Sequence, residues 1–332
     1  MEDLSQLTEK THWVSRGFTY AYYTSPARDS KPTRVLFHGW PDTARLWAGL
    51  INNYLIPNGY GVVALDCLGY GGSSKPTKPE AYAWPLQAAD VIQILDYEDL
   101  STVISVGHDW GSCLCQRLYN LYPSRVVGLV MVNVAYIPPT GDFDLDTVNR
   151  VTREIFGNAS YEYWHFYNSA DAAGLMDKVP ESVYTVAFSD PKTWLDNWCR
   201  PGGMREYITA GRTQPTLPFA TPEHKADFMA RFGPDTEGFA SSCCWYKAYV
   251  GPVQNEADRP LPEETYAVRV PALYWGAESD YVCRHQMIQQ SADAGLLPDL
   301  TTVVREGGHW ALLERPAEFG QDVLDWLQKK YT

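Results

Sequence analysis

The apolar positions of this chain form short runs, and the segments between the runs have helical spacing. The runs predict buried strands at residues 34–37, 61–65, 102–106, 126–134, 272–276 and 301–305. The segments between them place apolar side chains on one helical face and predict helices, for example at residues 87–95, 113–122 and 317–328. Alternating strands and helices predict an α/β fold with a mostly parallel sheet flanked by helices. An antiparallel hairpin at one sheet edge is predicted for residues 12–15 and 18–24.

The pattern changes in the middle of the chain, where strand-like runs give way to aromatic residues at helical spacing. These aromatic residues cluster at residues 161–167, 194–198 and 245–249. We therefore expect an α-helical cap domain that is inserted between two strands of one sheet. The predicted organisation is a core in two parts, residues 1–137 and 263–332, with the cap at residues 138–262.

The composition narrows the class of protein. A chain of 332 residues that is 45% apolar suits one large α/β domain with an insertion. The net charge of -13 argues against nucleic acid and anionic membranes as partners, because both require clustered lysine and arginine. The seven cysteines include no CxxC pair, so we expect free, mostly buried thiols and no zinc site. No signal peptide or membrane-spanning run is recognisable, which favours a cytoplasmic location without membrane insertion.

Residues 107–111, Gly-His-Asp-Trp-Gly, lie between a predicted strand and a predicted helix. A sharp turn between glycines at such a place is a nucleophile elbow, and its central side chain here is Asp109. A carboxylate with a reference pKa of about 3.9 is ionised at neutral pH and needs no base to attack a saturated carbon. The resulting ester retains a carbonyl group that water can hydrolyse. An aspartate at the elbow therefore favours an epoxide or an alkyl halide as substrate.

The second half of such a reaction needs a base, a residue that orients the base, and an oxyanion hole. His309 follows the last predicted strand, and Asp280 follows the strand before it, with Glu278 as a rival acid. The backbone N–H groups of Trp40 and Trp110 are candidates for the oxyanion hole. Each residue alone also suits a helix cap, a turn or a loop. Together, in this order and at strand ends, they indicate catalysis.

Several motifs resemble those of soluble epoxide hydrolases with the α/β-hydrolase fold: residues 38–41, 107–111, 276–280 and 308–310. The resemblance covers essentially the whole predicted core. It implies the α/β-hydrolase fold, and it implies a cis peptide bond between Trp40 and Pro41.

The resemblance also implies two cap tyrosines that protonate the departing epoxide oxygen. A phenol with a pKa of about 10 is protonated at neutral pH and is still acidic enough to donate. The first matching segment places Tyr163 in this role, with Tyr161 and Tyr167 as alternatives. The second segment places Tyr246 there, with Tyr249 as the alternative. The chain continues the first segment with Asn-Ser-Ala where the family has Gln-Glu-Pro, which leaves the register of that segment open.

The expected function is that of an epoxide hydrolase, which converts an apolar or aryl epoxide to a vicinal diol through an ester on Asp109. The expected partners are the epoxide and water; no metal or cofactor is needed, and a homodimer stays open. We expect further residues of an aromatic pocket to be His38, Pro41, Trp310 and Tyr167. Two alternatives remain: a haloalkane or haloacid dehalogenase with the same nucleophile, and a receptor that binds a small molecule without turnover.

Overall fold

An eight-stranded sheet forms the centre of the computed structural model, which describes residues 3–233 and 236–331. The strands are β1 Thr8–Trp13, β2 Thr19–Ser25, β3 Thr33–Phe37, β4 Gly61–Leu65, β5 Val103–His108, β6 Val126–Val132, β7 Ala272–Ala277 and β8 Leu300–Arg305. Their spatial order is β1-β2-β4-β3-β5-β6-β7-β8. The first two strands form the antiparallel hairpin, which begins earlier in the chain than predicted, and the strands from β4 to β8 are parallel. The mostly parallel sheet is therefore confirmed.

Helices cover the sheet, and a long helical segment joins β6 to β7. The helices outside that segment are α1 Ala48–Leu50, α2 Trp84–Tyr97, α3 Trp110–Leu121, α13 Ile288–Asp293, α14 Ala311–Glu314 and α15 Pro316–Lys330. The helices within it are α4 Leu145–Phe156, α5 Tyr163–Tyr167, α6 Ala172–Met176, α7 Pro180–Ala187, α8 Trp194–Asn197, α9 Gly203–Thr209, α10 Pro222–Phe232, α11 Cys243–Val250 and α12 Pro252–Asp258. The segment lies where the sequence predicts the cap; the domain boundaries themselves stay a prediction.

The central strands are buried on both faces, which explains their continuous apolar runs. In β3, Val35 and Phe37 pack into a core cluster on one face of the sheet, and Leu36 packs into the cluster on the other face. The first cluster continues into the helical segment, where it includes Tyr163 and Tyr246. One continuous apolar core therefore holds the helical segment against this side of the sheet.

The cysteines and the hydropathy of the helices also agree with the sequence predictions. All seven cysteines are buried and free. Within the part of the chain that the structure describes, we find no helix that combines the length and the apolar composition needed to cross a bilayer.

Candidate active site

The predicted elbow joins β5 directly to α3, and Asp109 stands between them. Its backbone has φ 53° and ψ -128°, in a region that side chains other than glycine rarely adopt. The flanking glycines make this turn sterically feasible. A Cβ atom on Gly107 would lie 2.1 Å from the carbonyl oxygen of Gly111, and one on Gly111 would lie 2.2 Å from the carbonyl oxygen of Phe37. Both clashes are with backbone, which cannot move aside cheaply.

We expect Gly111→Ala to destabilise the protein by about 1–3 kcal/mol or more, because the added methyl group would force the elbow away from β3. Gly174→Ala is the matched control: it is also helical, and nothing lies within 4 Å of its added Cβ. Helix propensity alone stabilises that variant by up to about 1 kcal/mol. Urea unfolding measures both values, and equal free energies of unfolding for the two variants would contradict the steric argument.

The structure brings the three predicted catalytic side chains together at the carboxyl edge of the sheet. Nδ1 of His309 lies 2.8 Å from Oδ2 of Asp280, and Nε2 of His309 lies 3.6 Å from Oδ2 of Asp109. Asp280 follows β7 and His309 follows β8, so adjacent parallel strands deliver both residues to one place. The side chains of all three are buried or nearly so. The histidine can therefore hold a water molecule beside the nucleophile while the second carboxylate orients its ring.

Burial and charge act in opposite directions on these groups. Burial raises the pKa of Asp109 above its ordinary value, while His309 and the backbone N–H groups of Trp110 and Trp40 lower it. Burial also raises the pKa of Asp280, but His309 and the hydrogen bonds to the carboxylate outweigh this and hold the pKa at about 2. Burial lowers the pKa of His309, whereas Asp280 and then Asp109 raise it, leaving it above 6.5. The charged acid thus stabilises a proton on the histidine.

Asn133 completes this arrangement, and our reading of the sequence missed it. Its Nδ2 donates to Oδ2 of Asp280 at 2.6 Å, and the backbone N–H groups of Val282 and Cys283 donate to Oδ1 at 3.1 and 2.8 Å. Asn133 follows β6 and has φ 64°. A polar residue near the end of an otherwise apolar run was the available signal. These three hydrogen bonds, with that from His309, keep the acid ionised and in place.

The candidate oxyanion hole faces the nucleophile. The backbone N–H of Trp40 donates to Oδ1 of Asp109 at 2.8 Å. Gly39 permits this approach, since a Cβ there would lie 2.2 Å from that same oxygen. The peptide bond between Trp40 and Pro41 is cis, as the resemblance implies. The N–H of Trp40 thus contacts Oδ1, and the N–H of Trp110 also hydrogen-bonds to the carboxylate of Asp109.

Among the competing tyrosines, the charge of Asp109 raises the pKa of Tyr163, Tyr167 and Tyr246, and the sequence assigns the donor role to Tyr163 and Tyr246. Their ring centroids are 5.9 Å apart, and the ring of Tyr246 lies 5.0 Å from that of Trp110. Burial raises the pKa of both phenols, and the charge of Asp109 raises both further, as expected for groups close to that carboxylate. The phenols are therefore protonated at neutral pH and face a site where an oxygen atom would leave.

The alternatives Tyr161 and Tyr249 pack against other rings. Tyr161 stacks on Trp164 at 4.4 Å between ring centroids, and its hydroxyl lies 3.8 Å from the sulfur of Met287. Tyr249 packs against Phe143 at 4.3 Å and lies 5.5 Å from Trp110. The pKa of each is raised first by burial and next by a neighbouring cysteine, Cys283 for Tyr161 and Cys113 for Tyr249.

The four additional pocket residues have different surroundings. Tyr167 packs against Trp40 and Tyr246, with centroids 5.1 and 4.7 Å away, and its hydroxyl is buried without a partner. The carbonyl oxygen of Pro41 accepts from Nη1 of Arg231. Tyr167 thus adjoins the rings around Asp109, and Pro41 directly follows Trp40 in the loop that carries the candidate oxyanion N–H.

His38 and Trp310 have structural contacts instead. Nε2 of His38 accepts from the N–H of Cys67 at 2.9 Å, and Nδ1 lies 2.8 Å from the carbonyl oxygen of Gly39. Both ring nitrogens are occupied and the ring is fully buried, so His38 ties two loops together and does not line the pocket as predicted. Trp310 donates to the carbonyl oxygen of Ala187 at 2.9 Å and packs behind His309.

One cluster among the described residues has the composition of a metal site. Ligand atoms of Asp280, Cys283 and His309 all lie within 4.8 Å of one another. The hydrogen bond between the carboxylate and the imidazole already uses two of these groups. The arrangement suits proton transfer without an ion, and the prediction that no metal is needed stays a prediction.

Comparison with known proteins identifies relatives. The alpha/beta hydrolase fold family matches residues 35–316. Epoxide hydrolase A of Mycobacterium tuberculosis is 26% identical over 318 residues, which cover 89% of this chain and 90% of the relative. Bifunctional epoxide hydrolase 2 of Mus musculus is 26% identical over 304 residues, which cover 90% of this chain and 52% of the relative. The chain thus spans about half the length of the mammalian relative.

Solved structures agree with this assignment of the fold. The crystal structure of epoxide hydrolase A from Mycobacterium thermoresistibile has a TM-score of 0.80 at 26% identity, covering 97% of this chain and 98% of that one. An epoxide hydrolase from an endophytic Streptomyces has a TM-score of 0.81 at 22% identity, covering 98% and 96%. The second similarity is evidence for the fold alone.

Proposed function

Because the chain belongs to the alpha/beta hydrolase fold family, we propose that it is an epoxide hydrolase with Asp109 as its nucleophile. The observation that carries this proposal is a buried carboxylate at the elbow whose charge raises the pKa of two phenols and whose Oδ2 lies 3.6 Å from Nε2 of a histidine. The relatives that match over nearly their full length are named epoxide hydrolases.

The first step forms an ester. Oδ2 of Asp109, the oxygen that Trp40 does not hold, attacks an epoxide carbon from the side opposite the departing oxygen, and the carbon–oxygen bond of the strained ring breaks. The departing oxygen is an alkoxide and needs a proton. Tyr163 and Tyr246 donate hydrogen bonds to it and one of them supplies that proton, which a phenol does without a metal.

The second step hydrolyses the ester. His309, oriented by Asp280, takes a proton from water, and the resulting hydroxide attacks the ester carbonyl of Asp109. The backbone N–H groups of Trp40 and Trp110 stabilise the oxyanion that forms. Collapse of this intermediate releases the diol, and the proton on His309 returns to the tyrosine that lost one. The site is restored with epoxide and water consumed.

The rings around the nucleophile favour an apolar or aryl epoxide. Trp40 and Trp110 contact Tyr246 from two sides, with centroids 6.5 and 5.0 Å away. Purified protein incubated with styrene oxide should release phenylethanediol, and chromatography of the product tests this. Absence of diol from every aryl and alkyl epoxide tried would refute the proposal.

A cytoplasmic location and a homodimer stay predictions.

We expect the double variant Tyr163→Phe with Tyr246→Phe to lower kcat for styrene oxide by roughly 10²- to 10⁴-fold, the usual contribution of a general acid. The rings remain, so packing is preserved and only the proton donors are lost. Steady-state kinetics of diol formation measure the effect.

The matched control is Tyr161→Phe with Tyr249→Phe, which removes the hydroxyl groups of the two alternative donors from the same helical segment. This variant should retain kcat within a few-fold. If the control lost as much activity as the first pair, the assignment of Tyr163 and Tyr246 would be wrong.

One observation favours dehalogenation as a second candidate. The indole Nε1 atoms of Trp40 and Trp110 are buried and have no hydrogen-bond partner among the described residues. A departing halide needs N–H donors but no proton. Release of chloride or bromide from a haloalkane, without turnover of styrene oxide, would support this candidate. The tyrosine double variant distinguishes the two reactions, because it should spare dehalogenation.

A further inference from the structure

His108 is a buried titratable residue that the proposed mechanism does not use. It ends β5 and stands directly before Asp109, and its side chain is fully buried. Its Nε2 lies 3.0 Å from the backbone carbonyl oxygen of His309, which is 201 residues later in the chain. The strand that carries the nucleophile is therefore hydrogen-bonded to the backbone of the base.

The surroundings of the His108 ring determine where its proton lies. Burial holds the pKa of His108 well below its ordinary value, and the charge of His309 lowers it further, so the ring is neutral. A carbonyl oxygen only accepts a hydrogen bond, so Nε2 of His108 carries the single proton and Nδ1 carries none. The ring therefore does not compete with His309 for the proton that this base takes from water.

The other ring nitrogen shows which property of the histidine matters. Nδ1 of His108 is buried and has no hydrogen-bond partner among the described residues. An acceptor left in this state costs about 1–3 kcal/mol. A leucine would fill much of the same space without that cost. The Nε2–H donor is therefore the property of histidine that this position uses.

The backbone around the base needs such an anchor, because two glycines precede His309. Gly307 has φ 127°, a backbone conformation that other residues rarely adopt, and Gly308 follows it. The N–H of Gly308 donates to Oε1 of Glu314 at 2.9 Å, before His309 in the chain. The bond from His108 holds the carbonyl group of His309, and the two imidazole rings lie 4.7 Å apart between centroids. The strand before the nucleophile thus contacts both the backbone and the ring of the base.

We propose that His108 is a positioning residue for His309. Its Nε2–H holds the backbone of the base and so keeps Nε2 of His309 beside Oδ2 of Asp109, at the observed 3.6 Å. The inference rests on the proposed function, because the positioned base acts on the ester of Asp109. Ester formation does not need the base, so the contribution of His108 is confined to ester hydrolysis.

Two amide substitutions test this role. The side-chain N–H of His108→Gln reaches the position of Nε2, whereas that of His108→Asn reaches only the position of Nδ1. His108→Asn should therefore slow ester hydrolysis by roughly 10- to 100-fold, the scale expected when a catalytic group moves by about 1 Å. His108→Gln should recover most of that rate.

Steady-state and quenched samples measure the effect with styrene oxide. In His108→Asn, kcat and KM should fall together and kcat/KM should stay within a few-fold of the wild-type value, because the change spares ester formation. Mass spectrometry of acid-quenched protein gives the fraction of the chain that carries the ester, and this fraction should rise. A loss of stability alone would not raise it.

His224→Asn is the matched control. His224 is also buried, and its Nδ1 lies 3.0 Å from the hydroxyl of Tyr184 in the helical segment. The ester fraction should not rise in this variant. His108→Leu removes every polar atom of the side chain and should slow the second step as His108→Asn does, which covers the case in which a buried amide prevents folding. Equal slowing of both steps, ester accumulation in His224→Asn, or unchanged ester hydrolysis in folded His108→Asn or His108→Leu would overturn the inference.

A measurement on the wild-type protein needs no variant. NMR of protein labelled with heavy nitrogen should find the imidazole proton of His108 on Nε2 and none on Nδ1. A proton on Nδ1 would deprive the carbonyl group of His309 of this donor and would also overturn the inference. If the wild-type protein hydrolyses no epoxide, the proposed function fails instead, whereas a change in the ratio of the two steps concerns His108 alone.

Discussion

We expect Asp109→Asn to reduce diol formation by roughly 10⁴-fold or more, the scale seen when a catalytic nucleophile is removed. The amide has nearly the same size, and its oxygen can still accept from the N–H of Trp40. What it lacks is the negative charge that attacks carbon. Loss of activity with an unchanged far-ultraviolet spectrum would therefore identify a chemical role for the carboxylate, and steady-state kinetics on styrene oxide measure it.

Asp66→Asn is the matched control for Asp109→Asn. Asp66 is another buried aspartate at the end of a strand, and its carboxylate accepts from the N–H groups of Ala44 and Gly72 at 2.9 Å each. Loss of the Asp66 charge should lower the free energy of unfolding and leave kcat nearly unchanged. Retention of normal diol formation by Asp109→Asn would remove the basis of the proposed mechanism.

A single turnover in water that contains heavy oxygen tests the ester directly. The first diol molecule takes its new oxygen from Asp109, because water attacks the carbonyl carbon of the ester and not the substrate carbon. That diol should be unlabelled, and the label should appear in the protein. Heavy oxygen in the diol of the first turnover would mean direct attack by water.

The second large effect is expected for His309→Gln, which should stop the reaction at the ester. The nucleophile does not need the histidine to open the epoxide, so one epoxide molecule per protein is still consumed. Hydrolysis should slow by roughly 10³-fold or more without the general base. Mass spectrometry of the intact protein should show an adduct with the mass of one epoxide, and digestion should locate it on the peptide that contains Asp109.

His224→Gln provides the control for this variant. His224 is also buried, but its Nδ1 lies 3.0 Å from the hydroxyl of Tyr184 in the helical segment, and the charges that shift its pKa do not include Asp109 or Asp280. No adduct should accumulate in it. If the His309→Gln protein formed no adduct and no longer consumed epoxide, His309 would be needed for the first step as well, and the proposed role in ester hydrolysis alone would be wrong.

The pH dependence of the second step follows from the same histidine. Only the neutral imidazole accepts a proton from water, so hydrolysis of the ester should become faster as pH rises through the pKa of His309. Burial lowers this pKa, but Asp280 and Asp109 raise it above 6.5 in the free protein. The ester carries no charge on Asp109, which removes one of the raising contributions. The base is therefore more readily neutral in the intermediate, where it is needed.

The sequence by itself predicted the fold class, which is confirmed, and the candidate nucleophile, acid and base, which the structure brings together. Strand-forming runs are encoded locally, and each catalytic side chain stands directly after such a run or between a run and a helix. Parallel strands bring their carboxyl ends to one edge, so the positions of Asp109, Asp280 and His309 in the chain already indicated that they meet. The elbow is also recognisable from a short stretch of sequence, because its turn requires small residues on both sides of the central residue.

The tertiary structure alone showed which side chains surround the candidate site. Tyr161, Tyr163 and Tyr167 lie on one short stretch, and local sequence does not tell which of their hydroxyl groups faces Asp109. The support of Asp280 by Asn133 and the hydrogen bond between His38 and Cys67 likewise depend on contacts between residues distant in the chain. Such contacts arise from packing between the helical segment and the sheet, which no local pattern of residues encodes.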